Sequence, residues 1–239
     1  MRQTLIVLVA TVAALAQAQK ADPFDVQIAS VIMLQDKGIQ KELKVTEKQR
    51  DSMNRFAEQH RGAMTNYQKE LERKQKDPNK PLPVDANRVD GMFLAMKRSV
   101  LSVLTPPQLK RLREISLQQL DFVALVDDVV AKRVGIPDAQ LKKLKAIYEK
   151  GIKEVDELAK TAKAQLDVQT ADLQRQKPKT DAEAQRLNAE FERRAQALQK
   201  KLEPEINRIR AAGKKAILAQ LTVAQKAAWQ ALLGKPFSR

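Results

Sequence analysis

Residues 138–162 read DAQLKKLKAIYEKGIKEVDELAKTA, and in them Leu141, Leu144, Tyr148, Gly151, Val155, Leu158 and Ala162 recur at alternating steps of three and four. That spacing lays one apolar stripe along one side of an α-helix and is the heptad seam of a coiled coil. After a turn, Gln176-Lys177-Pro178-Lys179-Thr180, a second stripe returns through Leu187, Phe191, Ala195, Leu198 and Leu202. Pro178 cannot continue a helix, so the two stripes are expected to pack antiparallel as a hairpin. The outgoing helix is expected over about residues 138–174 and the return over about 181–220, with a kink or break at Pro204. Ala and Gly fill part of the seam, so the arm tips are expected to be weakly held and mobile. Such a tip suits contact with a partner, or is simply a solvated coiled-coil end.

The pattern occurs twice. A shift of 91 residues places Leu34 on Leu125, Ile39 on Val130, Leu43 on Val134, Val45 on Ile136, Gln49 on Gln140 and Met53 on Leu144. A shift of 117 places Lys97 on Lys214, Leu101 on Leu218, Leu104 on Leu221, Thr105 on Thr222, Gln108 on Gln225 and Leu112 on Trp229. The shifts differ by 26, so the second copy carries that many extra residues in its middle. In copy one a helical pattern over about residues 47–76 ends at a stretch with three prolines, Pro78, Pro81 and Pro83, and returns over about 85–103. The expected fold is all-α: two tandem antiparallel helical hairpins, residues 26–120 and 121–239, elongated, with a longer coiled-coil arm in the second. Residues 116–134 read as a continuous helix joining the copies.

Composition agrees. Seven glycines, 4% aromatic and 31% charged residues leave little for sheets or a large globular core and favour long helices. Arg2, the apolar run over residues 4–16 and the small-x-small site Ala16-Gln17-Ala18 form the three parts of a secretory signal peptide over residues 1–18. The run is too short to span a bilayer, which takes about 20 residues, and a lipoprotein anchor would need a cysteine that the chain lacks. The mature chain is expected to begin near Gln19, to hold no transmembrane segment and to be periplasmic or secreted from a bacterium. With Cys 0 it has no disulfide framework. A net charge of +15 would point to nucleic acid inside a cell; outside the cytoplasm nucleic acid is disfavoured, and acidic polypeptides or anionic surfaces become the partners.

Four helix starts share one grammar: Val45-Thr46-Glu47-Lys48-Gln49, Leu104-Thr105-Pro106-Pro107-Gln108, Ile136-Pro137-Asp138-Ala139-Gln140 and Leu221-Thr222-Val223-Ala224-Gln225. A threonine at the N-cap accepts from the backbone N–H three residues on, while the glutamine there reaches back to the threonine's own N–H. Pro106 falls at the first helical position, where its missing donor costs nothing, and Leu104 with Leu109 makes a hydrophobic staple. Pro137 has no side-chain acceptor, which leaves Asp138 as the capping candidate there. Each site read alone is a helix start and nothing more.

The repeated Leu-Thr-x-x-Gln motif, strongest at residues 104–108 and 221–225 and near-matched at 45–49, resembles the Spy/CpxP-type periplasmic family. Members of that family are typically about half this length, carry two such motifs and dimerise into a thin, curved, basic cradle. The two copies in this chain look like that dimer fused end to end. The resemblance implies an ATP-independent chaperone, or a stress-sensing accessory protein, of the cell envelope. It covers residues 26–237 in architecture, though its specific letters are only the short motifs. Lys110, Arg111 and Arg113 beside the second motif, and Lys142, Lys143 and Lys145 beside the third, are the densest basic clusters near the helix starts and the candidate client-binding residues. Their plainer reading is a solvated face that keeps the protein soluble.

No catalytic, cofactor or metal site is expected. His60 is the single histidine and has no cysteine or second histidine for a metal site, nor can a Ser-His-Asp set be built on it. The carboxylates Asp127-Asp128 and Glu203-Pro204-Glu205 lie in charged helical surroundings without sign of a pocket. Trp229, opposite Leu112 in the repeat, reads as core. No Gly-rich phosphate loop is present. Three functions remain: a chaperone for unfolded or partly folded envelope proteins, acting as monomer or homodimer; a structural or signalling adaptor docking one envelope protein through its arm; and a binder of anionic polymers. Long basic arms also mark Skp-type chaperones, but those use one hairpin per chain and a body of strands, which this sequence does not call for.

Overall fold

The computed structural model describes residues 22–75, 80–178 and 180–238. Residues 1–18, expected to be a signal peptide, and residues 76–79 and 179, in the stretches expected to turn, lie outside that set. All regular structure is helical, and no strand occurs among the described residues. No described helix is long and apolar enough to cross a membrane. The chain divides into two compact units, the first ending at Ser116 and the second spanning Leu117–Phe237.

In the first unit α1 (Pro23–Ile28) leads through a 3-10 turn (Val31–Gln35) to α2 (Lys37–Glu42), the long pair α3 (Glu47–Lys74) and α4 (Ala86–Leu101), and α5 (Pro106–Leu120), within which the division falls. The second unit runs from the end of α5 through a 3-10 turn (Asp121–Val126), α6 (Asp128–Val134), the long pair α7 (Asp138–Gln174) and α8 (Asp181–Ala219), and α9 (Val223–Leu233). The two units therefore use the same order of elements at the two shifts. Asp36 and Asp127, 91 apart, each cap the short helix that follows, accepting from the N–H groups of Gly38 and Ile39 in one case and of Val129 and Val130 in the other.

Residues 116–134 are not one helix. α5 stops at Leu120, Asp121 takes a positive φ of 52°, and the extended Asp127 opens α6. Two aspartates six residues apart, each able to leave the helical basin or cap the next helix, outweigh the apolar run between them. Asp138 does not cap α7 either. Pro137 holds the N-cap position without a side-chain bond, and Asp138 sits in the first turn, where its charge complements the helix dipole. α8 continues unbroken through Pro204. That residue is exposed, so the carbonyl it cannot serve has access to water.

Polar contacts cross between the two helices of each long pair. In the first unit the buried Tyr67 accepts from the Asp85 N–H at 2.8 Å, and Arg88 stacks over its ring and pairs with Glu70 at 2.9 Å. In the second, Arg194 of α8 pairs with Asp172 of α7 at 2.7 Å and with Glu190 at 2.8 Å. Gln140 and Gln220, a β-carbon at Gly151 and Ile209, and Asp172 and Arg194 thus meet in antiparallel order. Burial concentrates at the base of this pair, in Leu141, Leu144 and Ile217; farther out Ile209, Leu198 and Thr170 are the buried side chains. Trp229 is buried, as is Leu112.

α2 and α6 both end with a residue in the left-handed region, Lys44 at φ 51° and Gly135 at φ 80°. Both ends make the same pair of closing bonds, Val45 N–H to Gln40 O with Lys44 N–H to Lys41 O, and Ile136 N–H to Ala131 O with Gly135 N–H to Lys132 O. A β-carbon at Gly135 would meet nothing within 4 Å, so Gly135→Ala is charged only with the backbone term. It should lower stability by about 1 kcal/mol, and Lys44→Gly should raise it by about 0.5 kcal/mol, both measured by urea unfolding. At the arm of the second unit, hydrogen bonds from Arg193 and Arg194 hold the Glu190 carboxyl at about 2, below its ordinary 4.5. A folded pKa set this low means the contribution is present above the ordinary value and is lost only as pH falls toward 2. A carboxyl-resolved NMR titration should therefore give Glu190 a midpoint near 2, with the pair still formed at about pH 3.5.

Candidate functional site

The motif glutamines do more than cap their own helices. Gln49 accepts from the Thr46 N–H at 3.0 Å and Gln108 from the Thr105 N–H at 2.9 Å, as the capping grammar requires. The Gln49 N–H is then donated to Gln108 Oε1 at 2.8 Å, and the Gln108 N–H to Gln49 Oε1 at 3.2 Å. Their second amide protons go to the carbonyls of Val103, at 2.9 Å, and Leu43, at 3.0 Å. An amide offers two donors and two acceptor sites, and here all are used. The starts of α3 and α5 are tied together by a closed amide ring.

The second unit repeats the ring. Gln140 donates to Gln225 Oε1 at 2.9 Å and Gln225 to Gln140 Oε1 at 2.8 Å, with the remaining protons on Gln220 O at 2.7 Å and Gly135 O at 2.9 Å. Thr222 completes its capping box with Gln225. Gln140 receives nothing from residue 137, because proline has no N–H. Sequence reading finds the capping role of these glutamines; the partnership between motifs is visible only when the helices are in place.

The six basic candidates divide sharply. Arg113 is 5% exposed and pairs with Asp25, itself 8% exposed, at 2.9 Å, with its guanidinium over the Phe24 ring. It fastens α1 to α5 and is not part of any outer surface. Arg111 bridges Glu42 at 2.7 Å and Glu114 at 3.0 Å and is mostly covered. Lys145 is half-buried and pairs with Asp128 at 2.9 Å. Lys110, Lys142 and Lys143 are exposed. Periodicity could have flagged Arg113, which shares a helical face with Leu109 and Leu112.

Hollows lie along the long helices. In the second unit an open groove of about 560 Å³ runs between α7 and α8, floored by Leu158, Ala162, Leu198 and Leu202 and edged by Lys163 and Glu203. The other side of the pair carries a hollow of about 470 Å³ edged by Lys150, Lys153 and Arg208 with Glu154, Glu157 and Glu205. Small seam residues leave these spaces: Ala159, Ala162 and Ala195 line the groove, where larger side chains would close it. Beyond them Val168 is 78% exposed and Phe191 39%. His60 is half-buried, and no group of three or more metal-ligating side chains occurs among the described residues. No protein-family model, characterised protein or solved structure matches this chain.

The amide ring makes the four glutamines unequal. Gln225 is buried and serves two helix starts, so Gln225→Ala should cost about 2 kcal/mol. Gln140→Ala, with one bond fewer, should cost about 1 kcal/mol. The double variant should cost less than the sum, because either deletion already opens the ring; urea unfolding of the three variants measures the coupling.

Proposed function

We propose that this protein holds unfolded or partly folded polypeptides of the cell envelope without ATP, through a basic helical surface whose apolar floor is the half-open seam of the α7–α8 pair. The observation that carries the reading is that seam. Two helices of 37 and 39 residues bury few side chains between them outside their base and leave an apolar groove edged by Lys163 and Glu203. Extended segments of a client gain apolar contact there without needing a fitted pocket. Exposed lysines, Lys142 and Lys143 at the start of α7 and Lys163 farther along it, attract acidic clients at long range. The resemblance of the capping motif to the Spy/CpxP-type family supports the same reading, with the work done in the periplasm after removal of a leader.

The test is aggregation of two chemically unrelated unfolding proteins, without nucleotide, in the presence of the exported chain. Both should be suppressed at near-stoichiometric ratios. Lys142→Glu combined with Lys143→Glu should raise the ratio required several-fold while changing stability by no more than about 0.5 kcal/mol, as surface substitutions do. Suppression of neither client overturns the proposal and favours an adaptor with a single envelope partner.

A further inference from the structure

Beneath the second 3-10 turn, between α7 and α8, lies a cavity of about 380 Å³ whose wall is apolar apart from Gln119, Tyr148 and Arg210. No acidic residue lines it. Leu120 and Ile152, which also line it, are 47% and 43% exposed, so apolar surface here remains open to water.

Two glycines in the middle of helices face this space, Gly151 on α7 and Gly213 on α8. A β-carbon would stand 3.8 Å from Ile209 at the first and 3.9 Å from Phe122 at the second, ordinary contact distances in both cases. Neither glycine has a positive φ. Alanine would therefore fit at both positions and is the better helix former; what the glycines do is keep volume empty. The equivalent positions of the first unit hold His60 and Met96. The hollow in the same place there, about 330 Å³, is bordered by Arg50, Glu58 and Arg61. The second unit thus carries smaller side chains at these two positions and no acidic residue on the wall.

Arg210 is the one charged residue on the wall, is exposed, and has no ion pair among the described residues. An apolar cavity of this size with a lone cation at its edge suits a ligand that is apolar along its length and anionic at one end. We propose that the second unit binds one single-chain fatty carboxylate, its alkyl chain under the 3-10 turn and its carboxylate on Arg210. This site stands on the cavity alone and does not require the polypeptide-holding reading.

The experiment is calorimetric titration of the exported chain with dodecanoate, dodecanol and dodecyltrimethylammonium, each below its micelle concentration. Dodecanoate should saturate one site per chain and bind at least about tenfold tighter than the cationic amphiphile, a difference that one charge-assisted contact can supply. Arg210→Gln should reduce dodecanoate to the level of dodecanol and leave dodecanol unchanged. Gly213→Met and Gly151→Leu should each weaken dodecanoate by about tenfold or more, with helical circular dichroism retained, by filling the space that the chain occupies. If either glycine variant misfolds, the headgroup selectivity of Arg210→Gln, which alters no packing, still decides. Equal affinity for all three headgroups, binding of many equivalents, or no binding of any of them overturns the proposal.

Discussion

A glutamine side chain that accepts from its own helix cap and donates to the cap region of another helix has no freedom left. Its amide orientation is set by four bonds, and so is the distance between the two helix starts it serves. In the first unit this fixes α3 against α5, and in the second α7 against α9. The carbonyls that receive the remaining protons belong to the segments leading into the opposite helix, so those segments are held as well. The left-handed residues Lys44 and Gly135 sit in them, and their backbone turn brings the carbonyls of Leu43 and Gly135 to the amides. A neutral ring whose donors are all paired offsets its desolvation when half-buried. A lysine or glutamate in its place would leave groups unpaired.

From these fixed bases the long helices extend with progressively less to bury. Near the ring, leucines and isoleucines are fully covered; farther out alanines alternate with partly exposed leucines in the seam, and ion pairs such as Arg194 with Asp172 hold the helices in register. Exposed ion pairs contribute little to stability, about 0–1 kcal/mol each. The outer arm thus relies on helix propensity and loose packing, while the base relies on close packing and amide bonds. An arm of this construction leaves apolar surface accessible beside charge, and that combination underlies the proposed hold on unfolded polypeptides.

The two units are alike in what holds them and different in what they display. The aspartate caps, the left-handed helix ends and the glutamine rings recur at the same offsets. Beneath the 3-10 turns the walls diverge, with two arginines and a glutamate in one unit and, in the other, aliphatic side chains around two glycines with Arg210 the single charge. The third motif diverges too: Pro137 removes a donor, and its ring runs with one bond fewer. Elements that set geometry are constrained by many simultaneous bonds, whereas a cavity wall is constrained only by volume.

Heptad spacing, capping grammar and the two shifts are local or periodic features, and the helix class, most helix boundaries and the repeat could be read from residues alone. So could the core position of Trp229, through its pairing with Leu112. Where two local signals competed, reading failed: the apolar run over residues 122–126 hid a break that Asp121 and Asp127 impose, although the offset from Asp36 marked the second of them. Pairing between distant groups was beyond reach. Nothing in a five-residue motif says that its glutamine will find another 59 or 85 residues away. Nor does a run of Lys110, Arg111 and Arg113 say which cation faces water and which is buried against Asp25. Helix type follows from interactions within a few residues, which the sequence carries in order; partners of side chains and the volumes between helices depend on where whole elements come to rest, and only the tertiary structure decides that.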